Sequence, residues 1–245
     1  MDLTRRRNPH KRHSSRNDAT GRVHRVLCNR PDRSLLTPEE IEALFTRSTG
    51  EFLFARWGRP IAPVVFGVEE ATLQIVKGAI EAVVTLADHK MAETDPELGA
   101  NLMFFFFREW SELTETPNLD RLIPDLGSLV ARLAEAEANQ YRFFRFDDTG
   151  AIQAAFVFLR MDKVLSAIPA ETLALSQVVQ TILLWSDTAF SDRSPLVVAE
   201  GRAAMLRPDI AALVSAAYDP VLPVAGNDPT VALRLSARVA APRLS

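Results

Sequence analysis

The feature that most constrains the fold is residues 102–107, a continuous apolar run that ends in four consecutive phenylalanines. The run has the length of a strand and lacks polar alternation, which is typical of a strand covered on both faces of a sheet. Phenylalanines in such a run are much more often core residues than parts of a ligand site. Residues 101–107 are therefore predicted to form a buried strand with further structure packed on both sides.

Strand and helix signals alternate on either side of this run. Residues 141–146 and 151–159 are predicted to form a hairpin around an Asp-Asp-Thr-Gly turn. Prolines at 60 and 63 indicate an edge strand, or an irregular entry into a strand, at 61–66. Caps and periodic apolar residues predict helices at 38–48, 68–89, 125–139, 170–186, 207–218 and 227–239. The predicted fold class is α+β, with a small mixed sheet packed against helices.

The N-terminal segment, residues 1–34, differs in charge from the rest of the chain. It holds ten Lys/Arg and three Asp/Glu, a net charge of +7, and because the whole chain is −3, residues 35–245 carry −10. Few apolar residues and no periodicity predict a basic disordered tail at 1–34, ahead of one domain at 35–245. Such a tail suits contact with anionic surfaces, either nucleic acid or lipid. The alternatives are a merely solvated tail, or a translation start placed too far upstream.

The same N-terminal segment bears on location. No apolar h-region follows the arginines, so no signal peptide is predicted and a cytoplasmic location is the expectation. The chain has a single cysteine, Cys28, and it lies in this segment. The domain therefore has no disulfide, and cysteine usage says nothing about export.

Residues 170–187 combine an apolar helix with a polar turn, and we expect the rest of the domain to be built around them. Ser176, Gln177 and Gln180 have the spacing of the His-Glu-x-x-His motif of zinc peptidases, with each of its functional groups replaced. In that motif the two histidines lie one helical turn apart and bind zinc, and the glutamate is the base for the bound water.

Four short motifs distributed along the chain point to a family. They are Arg56-Trp57-x-x-Pro60-Ile61, Ala100-Asn101, the segment from Gln180 to Asp187, and Leu206-Arg207-Pro208-Asp209 with Tyr218-Asp219-Pro220. In their order and spacing, the chain from about Phe52 to Val239 resembles an uncharacterised family of bacterial proteins of unknown function, often lipoprotein-like, with a zincin-like, metzincin-related fold. The last motif is also similar to the C-terminal helix of matrix metallopeptidases. The resemblance implies a zincin-like single domain and a tendency of the family to be exported.

The resemblance also implies where a metal site would lie. It places Ser176 and Gln180 at the two helix histidines, Gln177 at the general base, Leu183 at a glycine, Ser186 at the third ligand and Asp187 at the acidic residue that follows. Neutral serine and glutamine oxygens are poor zinc ligands, and Gln177 has no proton-accepting state near neutral pH. We therefore expect no zinc, no other cofactor and no catalytic residue at these degenerate positions.

Histidine usage leads to the same expectation without the resemblance. His10, His13 and His24 lie in the N-terminal segment, which leaves His89 alone in the domain. A histidine-rich zinc site cannot be built from one histidine. His89 lies at the end of a predicted helix, where it suits the negative end of the helix dipole, and a role in a site is the alternative.

Trp185, Asp187, Asp192 and His89 are candidate residues of a former substrate cleft, although an ordinary loop capped by Asp and Ser has the same pattern. The leading hypothesis is a catalytically inactive zincin-like domain that binds a protein or peptide partner in that cleft, along the sheet edge. The second is an enzyme of different chemistry that uses Asp187, Asp192, Glu200 or His89. The third is a nucleic-acid- or membrane-associated protein that acts through the basic tail.

Overall fold

The computed structural model describes residues 35–198 and 203–241. Its strands are, in chain order, β1 (Phe54–Ala55), β2 (Pro63–Phe66), β3 (Leu102–Phe107), β4 (Gln140–Phe146), β5 (Ile152–Arg160), β6 (Leu196–Val197), β7 (Met205–Leu206) and β8 (Ala225–Gly226). The predicted basic tail at 1–34, with Cys28 and three of the histidines, lies outside the described residues, as does Glu200.

The main sheet has four strands in the order β2-β3-β5-β4. β2, β3 and β5 run parallel, and β4 pairs antiparallel with β5 across the hairpin. The sequence correctly predicts this hairpin, and β2 lies at an edge, which is one of the two alternatives that its prolines indicate. The short strands β1 and β8 form one two-stranded ribbon, and β6 and β7 form another.

Eight α-helices accompany the strands within the described residues. They are α1 (Pro38–Phe45), α2 (Glu70–Leu86), α3 (Glu112–Glu115), α4 (Leu119–Leu122), α5 (Leu126–Glu135), α6 (Ala170–Ile182), α7 (Pro208–Ala217) and α8 (Thr230–Ala240). The sequence does not predict α3 and α4, because each helix is too short to show a helical period. No described helix has the length and apolar character needed to cross a bilayer.

Helices cover both faces of the sheet, as the phenylalanine run predicts. Phe104 belongs to a large core that includes residues of α1, α2, α6, α7 and α8, whereas Phe105 belongs to a smaller core with the leucines of α5. Successive side chains of a strand point to opposite faces, so the run of phenylalanines fills both cores at once. The structure is thus α+β, with a small mixed sheet between helices.

The predicted span of the focal helix, 170–186, is too long, since α6 ends at Ile182. Leu183 is extended, with φ −134° and ψ 159°, and forms an isolated β-bridge with Arg56. The N–H of Leu184 donates to the carbonyl of Ala55 at 2.9 Å. Pairing with the β1 segment therefore takes the chain out of the helix. The extended backbone at Leu183 is open to any residue, so this exit needs no glycine.

Aromatic side chains cap the C-terminal end of α6. Trp185 Nε1 donates to the carbonyl of Val179 (2.8 Å), Trp57 Nε1 to that of Thr181 (2.9 Å) and the Tyr218 hydroxyl to that of Ile182 (2.7 Å). The last turn of a helix leaves carbonyls without intrahelical donors, and a buried end requires other partners. Trp57 and Tyr218 lie in motifs that carry the family resemblance, and here both of them hold the end of α6 in place.

Candidate functional site

A cleft of about 580 Å³ lies between β4 and the end of α6. One wall is β4, from Gln140 to Phe146. The other wall is formed by Gln180 of α6 and by residues of the segment that follows the helix, Leu184, Trp185, Ser186, Asp187, Phe190 and Ser191. Arg47, just after α1, lies at the same opening.

The cleft runs along the backbone edge of β4. Residues 140–144 line it consecutively, although side chains alternate between the two faces of a strand. Phe144 packs with the α6-side core, and Phe143 packs with the α5-side core. β4 is the last strand of the sheet, and within the described residues no strand pairs with its outer edge. The unpaired backbone groups of that edge therefore form part of the cleft wall.

Arg142 connects the strand wall to α6. Its Nη2 donates to Gln177 Oε1 at 2.6 Å and to Gln140 Oε1 at 3.0 Å, and Gln177 Nε2 also donates to Gln140 Oε1 at 3.0 Å. Arginine is a donor only, so both glutamines must present their oxygens to it. The three side chains form a closed network in which the acceptors that Arg142 contacts are both neutral.

Arg142 has no acidic partner in the described part of the chain, where the ion pairs involve other residues. Its Nε is buried and makes no hydrogen bond. Burial lowers the pKa of Arg142 to about 10, so the guanidinium remains charged at neutral pH. A half-buried cation held only by neutral oxygens is costly, because partial desolvation is not offset by an opposite charge.

The degenerate motif positions lie at or beside the cleft. Gln180 lines it, and its Nε2 donates to the Ser176 hydroxyl at 3.0 Å, so these two side chains share one face of α6. Gln177 is 2 % exposed and is bound within the Arg142 network. Ser186 lines the cleft, and its hydroxyl accepts from the N–H of Thr188 at 3.2 Å.

Asp187 and Trp185 are also brought to the cleft, and both also have structural contacts. The Asp187 carboxylate accepts from the N–H of Ser48 at 2.9 Å and from its hydroxyl. The hydrogen bond from the Ser48 hydroxyl is the main cause that lowers the pKa of Asp187. The Trp185 ring stacks on Phe45, with ring centroids 5.3 Å apart. Asp187 thus joins the loop after α1 to the segment after α6.

His89 and Asp192 are not among the residues that line the cleft. The His89 Nε2 is 2.8 Å from the carbonyl of Arg59, and its ring lies 5.1 Å from that of Tyr218. A carbonyl only accepts, so Nε2 carries the proton and donates. Burial lowers the pKa of His89. Asp192 is exposed on the loop beyond Ser191.

No group of three or more His, Cys, Asp or Glu side chains is placed to hold a metal ion within residues 35–198 and 203–241. The donor atoms that the cleft does offer are amide and hydroxyl oxygens and one carboxylate that already accepts two hydrogen bonds. The amide and hydroxyl groups can accept and donate hydrogen bonds to a ligand but are weak partners for zinc, and one carboxylate does not by itself make a zinc site.

Arg142, Gln140 and Arg47 are cleft residues that sequence reasoning does not single out. A signal for Arg142 is present, since it alternates with Phe144 and Phe146 on one face of β4. A charge at an apolar position of a half-buried strand is unusual and indicates a partner or a role. Arg47 follows the predicted first helix and has no such pattern.

Comparison with known proteins adds no relative. No protein-family model matches the chain, and no curated protein and no solved structure matches it.

Proposed function

We propose that residues 35–245 form a catalytically inactive, zincin-like domain whose cleft binds an extended peptide segment of a partner protein. The observation that carries the proposal is the position of β4. It is an edge strand without an outer partner among the described residues, and residues 140–144 line the cleft consecutively. An extended peptide adds to such an edge through main-chain hydrogen bonds, and pockets along the strand select its side chains.

The composition of the cleft supports a peptide better than a small polar substrate. β4 supplies aromatic residues to the wall, and Trp185 and Phe190 face them from the opposite side, in mutual edge contact at 5.1 Å. Polar and charged residues also line the cleft, and such a mixture of aromatic and polar groups matches the side chains and main-chain amides of an extended partner segment. An unprotected aromatic edge strand is otherwise an aggregation hazard, and a bound segment would remove that hazard.

The zincin-like part of the proposal rests on the family resemblance and on the placement of α6. Ser176 and Gln180 lie one turn apart on one helix face, and Gln180 lines the cleft. Gln177, at the position that the resemblance gives to a general base, is committed to Arg142. A base in this place would need a carboxylate with a pKa near neutrality, and a neighbouring guanidinium would lower that pKa.

The experiment is a selection of hexapeptides from a random display library, followed by calorimetric titration of the selected peptide against purified protein. We expect saturable micromolar binding, because a single added strand buries little surface. N-methylation removes backbone N–H donors. A peptide that is N-methylated at alternate residues should therefore lose binding when the methylated residues are those whose N–H groups would donate to β4.

Two substitutions test whether the peptide binds in the cleft. Ser191→Trp fills the cleft from an exposed loop position and should weaken binding at least tenfold. Asp192→Trp, its exposed neighbour outside the cleft lining, is the matched control and should bind as wild type does. Equal affinities of both variants and wild type, or no selectable peptide at all, would refute the proposal.

A further inference from the structure

The charge of Arg142 has no counterpart in the described chain, and this points to a ligand that supplies one. Both hydrogen bonds of its guanidinium start from Nη2 and end on neutral amides. Nε is buried without a partner. Nη1 makes no hydrogen bond to the described residues and is not a buried atom, so it remains available to a ligand in the cleft that Arg142 lines.

The side chains that line the cleft carry a net positive charge, from two arginines against one carboxylate. Arg47 adds a second cation at the opening. Asp187 is the one acidic residue among the described residues that line the cleft, and Ser48 already donates to both of its oxygens. This basic cleft lies on a domain whose sequence has a net charge of −10, so its charge does not follow from the general composition.

From these contacts we infer that the cleft is selective for a peptide that carries a carboxylate, and that Arg142 is the residue that binds the carboxylate. The inference rests on the proposed function and adds the chemical class of the ligand. A carboxylate bound to Nη1 forms a charge-assisted hydrogen bond and neutralises a partly desolvated cation. Arg142 is already partly desolvated in the free protein, so binding adds little further desolvation cost on its side. Gln177 and Gln140 hold the guanidinium in place for this contact.

The carboxylate has two candidate sources, a Glu or Asp side chain and the C-terminus of the peptide. The N-terminal segment of the chain itself, residues 1–34 with a net charge of +7, has the wrong sign for this site. The occupant is therefore an acidic extended segment of another protein.

The test uses the full chain and a positional library of acetylated hexapeptides in which one position is fixed as Glu or as Gln, each made as C-terminal acid and as amide. Binding is measured by fluorescence polarisation. We expect tighter binding, by at least tenfold, either for Glu over Gln at one fixed position or for the C-terminal acid over the amide. A preference for Glu among amides identifies a side-chain carboxylate, and a preference for acid over amide identifies the C-terminus.

Two variants assign the preference to Arg142. Arg142→Gln removes the cation, and Gln177→Glu keeps the cation but supplies an internal carboxylate. In both variants the acidic peptide should bind only as well as its neutral match, while the neutral peptide binds as it does to wild type. The second variant retains the arginine and most of the packing, so it serves where the first fails to fold.

The outcomes separate this inference from the proposed function. If acidic and neutral peptides bind wild type equally, or the acid preference survives in both variants, the carboxylate inference is wrong and peptide binding stands. If no peptide of either kind binds, the proposed function fails and takes this inference with it.

Discussion

The Nη2 of Arg142 donates to Oε1 of Gln177 at 2.6 Å, and this contact joins the edge strand of the sheet to α6. The resemblance to zincin-like proteins gives position 177 to a general base. In this chain the position is instead part of a hydrogen-bond network around a cation that lacks an acidic partner among the described residues. The contact therefore connects the position that the resemblance gives to the base with the cation on which the inferred carboxylate site rests.

A carboxylate at position 177 should stabilise the fold. Gln177→Glu places an acceptor of opposite charge beside Arg142 but loses the hydrogen bond from Gln177 to Gln140, so we expect the free energy of unfolding at pH 7 to rise by about 1 kcal/mol. Arg142 lowers the folded-state pKa of the introduced carboxyl below its unfolded value of about 4.3. The gain is therefore present above that value and is lost as the pH falls through the folded pKa.

Urea denaturation of wild type and variant at pH 7 and at pH 3 measures this gain. Gln180→Glu is the matched control, since it makes the same change at another position of the helix, where the neighbour is Ser176 rather than Arg142. A gain of the same size in both variants would show that Arg142 is not its cause.

The hydroxyl of Tyr218 should contribute to stability through the end of α6. Tyr218→Phe removes the donor to the Ile182 carbonyl, and we expect a loss of about 1–2 kcal/mol because a buried carbonyl is left without its partner. Tyr141→Phe is the control, because the Tyr141 hydroxyl makes no hydrogen bond among the described residues. Thermal or urea unfolding of both variants is the measurement, and similar losses would contradict the cap.

Stability should fall on mild acidification because of His89. Burial, with the charges of Arg56 and Lys90, lowers its folded pKa below the ordinary value of 6.5. The unfolded chain therefore takes up a proton as the pH falls through 6.5 while the folded chain does not, and the free energy of unfolding decreases. His89→Gln retains a donor for the Arg59 carbonyl and should show a shallower decrease between pH 7.5 and pH 5. Identical pH profiles for wild type and variant would refute the assignment to His89.

The face of α6 that bears Ser176 and Gln180 should accept a metal when histidines are restored. Ser176→His combined with Gln180→His places two imidazoles one turn apart. Zn²⁺ or Ni²⁺ at about 100 times its Kd should stabilise the double variant by roughly 2–3 kcal/mol. Thermal unfolding with and without metal measures this, and Ser176→His alone is the control. If the double variant gains no more than the single one, the two positions do not share an accessible face.

The fold is predictable from the sequence wherever a local pattern decides the structure. Residues 102–107 predict a strand buried on both faces, the prolines at 60 and 63 indicate an edge or an irregular entry, and Thr37 caps α1 with Glu40 in a reciprocal pair. The end of α6 is not predictable in this way. Its sequence stays apolar through Trp185, and the helix stops at Ile182 because residues distant in sequence pair with the chain and cap its carbonyls.

The candidate site divides in the same manner. The spacing of Ser176, Gln177 and Gln180 identifies the helix face, and the polar turn after it identifies Ser186 and Asp187. The sequence pattern does not identify Arg142 as a site residue, because its contacts depend on how the hairpin packs against a helix that is distant in sequence. His89 is a candidate only because it is the one histidine in the sequence of the domain. In the structure it packs against Tyr218 and does not line the cleft.

Amide hydrogen exchange with and without the selected peptide tests the central claim most directly. If the peptide adds to the sheet, the amides of residues 140–146 that do not pair with β5 should exchange at least tenfold more slowly in the complex. The other edge strand of the same sheet, β2 (Pro63–Phe66), is the internal control and should not change. Protection that is absent from 140–146, or equal in both edge strands, would contradict the account.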